Sequence, residues 1–152
     1  MSVSGTELLA ETVLLVEDGL DDVLLARRAF RKVGLEHTLR VCSDGAEAVA
    51  YLTPHALSQH EFDRAPQLVL LDWKLPKRSG LEVLCWIRAQ VSLHELPIVI
   101  VSASGQPDEM EQARSAGANA YLHKPLTSTS LLELLQRPEL AALKACAMSL
   151  ER

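Results

Sequence analysis

Val13-Leu14-Leu15-Val16-Glu17-Asp18 is the stretch that decides the fold, because four consecutive apolar residues run straight into two acids. A strand with one face in water alternates apolar and polar side chains, and this run does not. It therefore reads as a strand covered on both faces, as the central strands of a parallel sheet are. Residues 21–33 follow with Val23, Leu24, Ala26, Phe30 and Val33 mostly at three- and four-residue steps, leaving Arg27, Arg28, Arg31 and Lys32 for solvent. That spacing predicts an amphipathic helix, ended by Gly34.

The same alternation continues outward from this unit. Residues 37–42 partly alternate, so they read as a second strand exposed on one side, an edge. Asp44 is a suitable N-cap for a helix carrying Ala46, Ala48, Val49 and Leu52. Residues 54–66 are mostly polar and hold His55, His60, Glu61 and Asp63. Their spacing matches no metal-ligand pattern, and they read as a surface loop, with a helical extension as the alternative. Residues 67–71 form a third buried strand ending at Asp72, and a turn through Pro76 and Ser79-Gly80 leads into a helix over 81–90. Residues 97–101 are a fourth strand ending at Ser102, followed by a short helix over 108–116 that Gly117 closes. Residues 120–123 are a brief fifth strand ending at Lys124-Pro125. Thr127 and Ser128 can cap a helix with Leu131, Leu132, Leu134 and Leu135, and residues 139–150 read as one more weakly amphipathic helix. Strands alternating with helices in this way predict an α/β fold built from βαβ units.

Composition limits what such a domain can do. The chain has 152 residues, 48% hydrophobic and 23% charged, enough apolar material for one compact core. We expect a tail over 1–12, one domain over 13–137 and a helical extension over 138–152. The net charge of −5 argues against direct nucleic-acid binding, which needs a basic face. The longest apolar runs, 48–52 and 83–87, are far below the ~20 residues that span a bilayer, so no membrane partner is expected. The first seven residues lack a basic start and an apolar signal core, and Cys42, Cys85 and Cys146 are odd in number and far apart. These features fit a cytoplasmic protein with buried, inert thiols.

In an open parallel sheet, ligands bind outside the carboxyl ends of the strands. The residues there are Glu17 and Asp18 after the first strand, Asp72 after the third, Ser102 after the fourth and Lys124 after the fifth. Each alone is an ordinary cap, turn or surface residue. Together they bring three carboxylates to one edge, where they repel unless a proton or a cation sits among them. Mg2+ suits such a set, since it takes oxygen ligands and keeps several waters. A carboxylate can itself be a nucleophile on phosphorus, with a metal, a lysine and a hydroxyl stabilising the transferred group.

At these residues the sequence resembles the response-regulator receiver domain of two-component signalling. The match rests on Leu14-Leu15-Val16-Glu17-Asp18, Leu70-Leu71-Asp72-Trp73-Lys74-Leu75-Pro76, Ile100-Val101-Ser102-Ala103 and Tyr121-Leu122-His123-Lys124-Pro125, in family order. The stretch from Leu75 to Gly80 and the long segment before the third strand are most similar to single-domain regulators associated with bacterial phytochromes. The resemblance implies a flavodoxin-like, doubly wound five-stranded parallel sheet in the order 2-1-3-4-5, with helices on both faces. It implies that Asp72 accepts a phosphoryl group from a histidine kinase, which in this subgroup is a bacteriophytochrome. Mg2+ would be held by Asp18, by Glu17 through water, by Asp72 and by the backbone carbonyl of Lys74. Ser102 and Lys124 would bind the phosphoryl oxygens, Tyr121 would swing inward with Ser102, and a cis peptide would precede Pro125.

Lys74 stands where a neutral or acidic residue is more usual, and Ser104 lies on the other flank. Both are candidates for tuning dephosphorylation. With no output domain read after Gln136, the expected output is a binding surface, formed by the fourth helix, fifth strand and fifth helix. It would join Ser102 and Tyr121 to Leu131 and Leu132, and take a downstream protein or a second copy, giving a homodimer. The terminal helix, through Leu140, Leu143 and Met148, is a candidate cover for part of it. Enzymatic activity is not expected beyond slow autodephosphorylation. The alternative, a small aspartyl-nucleophile phosphatase or phosphotransferase, commonly places an acid two residues after the nucleophile, where this chain has Lys74. A flavodoxin-like electron carrier is disfavoured by the acidic loop Glu17 to Asp22, and a constitutive pseudo-receiver by the intact acid, hydroxyl and lysine set.

Overall fold

A computed structural model describes residues 12–57 and 65–150 of the chain. The elements are β1 (Val13–Val16), α1 (Leu20–Lys32), a 3-10 turn (Glu36–Thr38), β2 (Leu39–Cys42), α2 (Gly45–Leu57), β3 (Leu68–Asp72) and α3 (Gly80–Ala89). They continue with β4 (Ile98–Ser102), α4 (Pro107–Ser115), β5 (Ala120–His123), α5 (Ser128–Leu134), a 3-10 turn (Pro138–Leu140) and α6 (Ala141–Leu150). The strands pair in parallel in the order β2-β1-β3-β4-β5. Strand order reverses between β1 and β3, which opens a crevice at their carboxyl ends. Among the described residues, no helix is long and apolar enough to cross a membrane.

Every residue of β1, β3 and β4 is buried, which is why these strands show no alternation. Their side chains divide by parity between two cores. Val13, Leu15, Leu68, Leu70, Val99 and Val101 face α1, α5 and α6, whereas Leu14, Val16, Val69, Leu71, Ile98 and Ile100 face α2, α3 and α4. Local chemistry sets the helix starts. Asp44 Oδ1 accepts the Glu47 N–H at 2.7 Å, and Ser79 and Glu82 form a reciprocal capping box. Gly80 is required where α3 leaves the site, because a Cβ there would lie 2.4 Å from the Asp72 carbonyl oxygen.

Several expectations need correction. The second strand begins at Leu39, not at residue 37, because the Thr38 hydroxyl and N–H both donate to the Leu35 carbonyl and hold residues 36–38 in a turn. The helix after Asp44 runs through Pro54 to Leu57. Proline there has no N–H for the Ala50 carbonyl, and Ala50 is exposed, so that carbonyl can turn to solvent. His60, Glu61 and Asp63 lie outside the described residues. Leu24, placed on the inner stripe of α1, is 55% exposed, and the buried stripe is Ala26, Ala29, Phe30 and Val33. The C-terminal segment is a 3-10 turn followed by α6, and Leu140, Leu143 and Ala147 join the core on the α1 and α5 side. Tyr121 packs on the opposite side of the sheet, so α6 does not cover it; the Met148 side chain lies outside the described residues. Leu131 is fully buried, leaving only Leu132 of that pair on the surface. The thiols are not uniformly buried either, since Cys85 is exposed and Cys146 half-buried.

Candidate functional site

Parallel pairing brings the carboxyl ends of the strands to one edge, and ladder bonds extend that alignment past them. The Glu17 N–H donates to the Cys42 carbonyl at 2.9 Å, and the Lys124 N–H to the Ser102 carbonyl at 2.8 Å. Glu17, Asp18 and Asp72 each offer a carboxylate oxygen, and these atoms lie within 4.8 Å of one another. Glu17 and Asp72 are buried, while Asp18 is exposed. Neither Glu17 nor Asp18 caps α1, whose N-cap is Gly19 with no side-chain cap; instead Glu17 Oε2 accepts the Gly19 N–H at 3.1 Å.

Lys124 balances part of this charge. Its Nζ is 2.9 Å from Glu17 Oε1, 3.0 Å from Asp22 Oδ2 and 3.4 Å from Asp72 Oδ2. The bond between Lys124 and Pro125 is cis. Burial works against the lysine's charge, but hydrogen bonds to Glu17 and Asp22 and the charge of Asp72 hold its pKa well above the ordinary lysine value. Burial pushes both Glu17 and Asp72 above the usual carboxylate range, against the pull of Lys124. Crowding adds to the rise, from Asp72 on Glu17 and from Asp18 on Asp72. Carboxylates held this way favour a partner that brings positive charge. Hard oxygen donors this close together, one of them open to solvent, fit a divalent cation that keeps part of its water shell.

Beside the cluster, Asp72, Lys74, Ser102, Ala103, Ser104 and Lys124 line a cavity of about 230 Å3. The Lys74 N–H lies 3.4 Å from Asp72 Oδ1, and the Lys74 side chain is exposed. Ser102 is buried, and its Oγ accepts the Ser104 N–H at 3.2 Å. The Ser104 hydroxyl donates to Glu109 Oε1 at 2.6 Å, and the Tyr121 hydroxyl donates to Glu109 Oε2. Tyr121 is half-buried. Glu17, Asp18, Asp72, Lys74, Ser102, Ser104 and Lys124 thus lie at one edge of the sheet, with Tyr121 joined to Ser104 through Glu109.

Two neighbours were not singled out. Asp22 stands in the first turn of α1 beside Asp21, where acids read as ordinary helix-start residues, so no signal in the sequence shows that it meets Lys124. Glu109 had none either, because it stands among Asp108, Glu109 and Glu111, all of which read as acids suited to a helix start.

The response regulator receiver domain family matches residues 13–136. The chain belongs to that family. Receivers are the response-regulator modules of two-component systems, generally signalling switches. This receiver is 31% identical over 126 residues to response regulator Rcp1 of Synechocystis sp., covering 83% of this chain and 84% of that protein. It is 30% identical over 128 residues to the polar-differentiation response regulator DivK of Brucella ovis, covering 84% and 95%. The Mn2+-bound crystal structure of Rcp1 superposes with a TM-score of 0.67 over 84% of this chain and 90% of that one, at 31% identity. The bacteriophytochrome response regulator RtBRR does so with a TM-score of 0.73 over 87% and 78%, also at 31% identity. The receiver's acidic cluster suits a divalent metal, as its chemistry indicates.

Proposed function

We propose that this receiver takes a phosphoryl group on Asp72 from the phosphohistidine of a histidine kinase and signals by phosphorylation-dependent binding. A bond forms between an Asp72 carboxylate oxygen and phosphorus as the phosphorus–nitrogen bond of the phosphohistidine breaks, and the electron pair returns to the imidazole. The observation that carries this reading is the Asp72 carboxylate itself, buried beside Glu17 and Asp18 with Lys124 Nζ 3.4 Å away. Mg2+ would be held by Asp18, by Asp72, by the Lys74 carbonyl and, through water, by Glu17; when bound, it neutralises charge developing on the phosphoryl oxygens. Lys124 supplies a fixed cation to the same oxygens. Ser102 supplies a hydroxyl from the end of β4, and Tyr121 follows its movement.

Similarity to the bacteriophytochrome response regulator RtBRR supports a phytochrome-type kinase as the donor. The output surface is α4, β5 and the exposed side of α5, where Met110 and Leu132 are 44% and 43% exposed. A downstream protein or a second copy docks there, in the cytoplasm. Lys74 and Ser104 flank the approach of water to the phosphoaspartate and set its lifetime. No observation favours the phosphatase alternative.

The test is incubation with Mg2+ and acetyl phosphate, followed by intact-mass measurement. The expected result is a gain of one phosphoryl group that is absent in Asp72→Asn. A protein that gains nothing, or gains equally without Asp72, overturns the reading.

A further inference from the structure

One buried carboxylate next to the site takes no part in the transfer described above. Glu109 is the third residue of α4 and is 8% exposed. Buried carboxylates are retained where their oxygens are satisfied, and both oxygens of Glu109 are. Oε1 takes the Ser104 hydroxyl at 2.6 Å, and Oε2 takes the Tyr121 hydroxyl. A serine hydroxyl has one proton and two lone pairs. Ser104 gives its proton to Glu109, so its oxygen remains an acceptor, and the nearest hydroxyl to it is that of Ser102, 3.5 Å away, at the long limit of a hydrogen bond. Ser102 Oγ meanwhile accepts the Ser104 N–H. The single proton of Ser102 is thereby drawn toward Ser104 and Glu109. Three hydroxyls, from the end of β4, the loop after it and β5, are gathered by one anion on α4.

We propose that Glu109 is a positioning residue that anchors the unphosphorylated state, competing through Ser104 with a phosphoryl group on Asp72 for the Ser102 proton and holding Tyr121 against α4. The inference rests on the phosphoryl-acceptor reading of Asp72. A phosphoryl dianion in the adjacent cavity is a second acceptor for Ser102. When Ser102 turns to it, the Ser104 oxygen loses that donor, while Ser104 and Tyr121 keep their own bonds to Glu109. The phosphoryl dianion and the Ser104 oxygen, held as an acceptor by Glu109, bid for one proton, and this makes a switch whose balance depends on the charge of Glu109. Glutamine in that place offers one acceptor oxygen and a donating amide, so it cannot accept the two hydroxyls at the two positions where Oε1 and Oε2 now hold them.

The test compares wild type with Glu109→Gln in three measurements: phosphorylation rate with acetyl phosphate by intact mass, Mg2+ affinity by tryptophan fluorescence, and the 19F signal of fluorotyrosine at Tyr121 without phosphodonor. The expected result is a roughly fivefold faster phosphorylation in Glu109→Gln, with unchanged Mg2+ affinity and a displaced Tyr121 signal. General loss of structure would instead slow the reaction and weaken Mg2+ binding together. An unchanged or slower rate at equal Mg2+ affinity overturns the anchor, as does an unmoved Tyr121 signal. If Glu109→Gln does not fold, the double substitution Ser104→Ala and Tyr121→Phe removes the same bonds, and it must also phosphorylate faster or the proposal fails. A wild type that never gains a phosphoryl group refutes the reading of Asp72 first and the competition with it. A wild type that does, with no acceleration in either variant, refutes the anchor alone.

Discussion

Lys124 Nζ is 3.0 Å from Asp22 Oδ2, closer than its 3.4 Å to Asp72 Oδ2. One ammonium thus serves Glu17, Asp22 and Asp72 while Asp18 stands open to solvent. Removing it leaves two buried acids without their cation, and breaking a buried pair from one side is strongly destabilising. In EDTA we expect Lys124→Met to lose about 3 kcal/mol in a urea melt. The same change removes a positive charge that repels a dication, so Mg2+ should bind the variant more tightly and restore much of the lost stability. A variant as stable as wild type in EDTA would show that the lysine is not the counterion of the cluster.

On the phosphoryl-acceptor reading of Asp72, Lys74 should bear on the lifetime of the phosphorylated state. It lines the cavity with Asp72 and Ser104, and in the proposed reaction water reaches the phosphoaspartate through that cavity. A long cation drawn to the phosphoryl oxygens obstructs that approach. Decay in Lys74→Asn should be faster by roughly threefold, read as loss of the phosphorylated mass after the donor is removed. Equal half-lives would sink the idea.

The three thiols separate by environment. Burial, with Glu47 and Asp44 nearby, pushes the Cys42 thiol up to about 11, whereas Cys85 is exposed. The nucleophile is the thiolate, so at roughly pH 8 a disulfide reagent should modify Cys85 first and reach Cys42 only after unfolding. Mass mapping of the labelled peptides checks the order, and early labelling of Cys42 would contradict its burial against the sheet.

Glu109 provides a pH signature. Burial raises its pKa, but the hydroxyls of Ser102, Ser104 and Tyr121, with the charge of Lys74, outweigh that and hold it below the ordinary 4.5. A carboxyl lowered in the folded state contributes stability above its unfolded value, and that contribution is lost as pH falls through the folded one. Wild type should therefore lose more stability than Glu109→Gln on acidification from about pH 5, because the amide does not titrate. Other lowered carboxylates, such as Asp44 and Glu111, act in both proteins and cancel in the comparison. Parallel curves would place the carboxylate outside the network.

What the sequence made legible was the part fixed by short-range pattern. β1, β3 and β4 are buried on both faces, so their apolar runs could not be mistaken for edge strands, and the acids, serine and lysine that follow them mark the ligand-binding edge. The errors came where a specific bond or the exposure of one residue decides. Thr38 looks like a strand residue until its hydroxyl meets the Leu35 carbonyl, and Pro54 looks like a helix end until Ala50 is known to face water. Leu131 and Tyr121 read as parts of one surface because the fourth helix, fifth strand and fifth helix are neighbours in the expected fold. Sheet parity and the path of α5 put them on opposite sides. Glu109 could not be told from Asp108 or Glu111, because only tertiary structure brings Tyr121 to it.

The C-terminal segment gives the last expectation. Leu143 is fully buried, in a cluster with Leu131, Leu134, Phe30 and Val13, so α6 closes the core on the α1 and α5 side. Leu132, one residue beyond Leu131, is 43% exposed. Truncating a buried leucine removes its transfer energy and leaves a cavity, so Leu143→Ala should cost about 2–5 kcal/mol in chemical denaturation. Leu132→Ala should stay within about 0.5 kcal/mol while weakening whatever binds the phosphorylated α4, β5 and α5 surface. The pair separates two roles that look identical in sequence. If Leu143→Ala is as mild as Leu132→Ala, α6 is an appendage rather than part of the core.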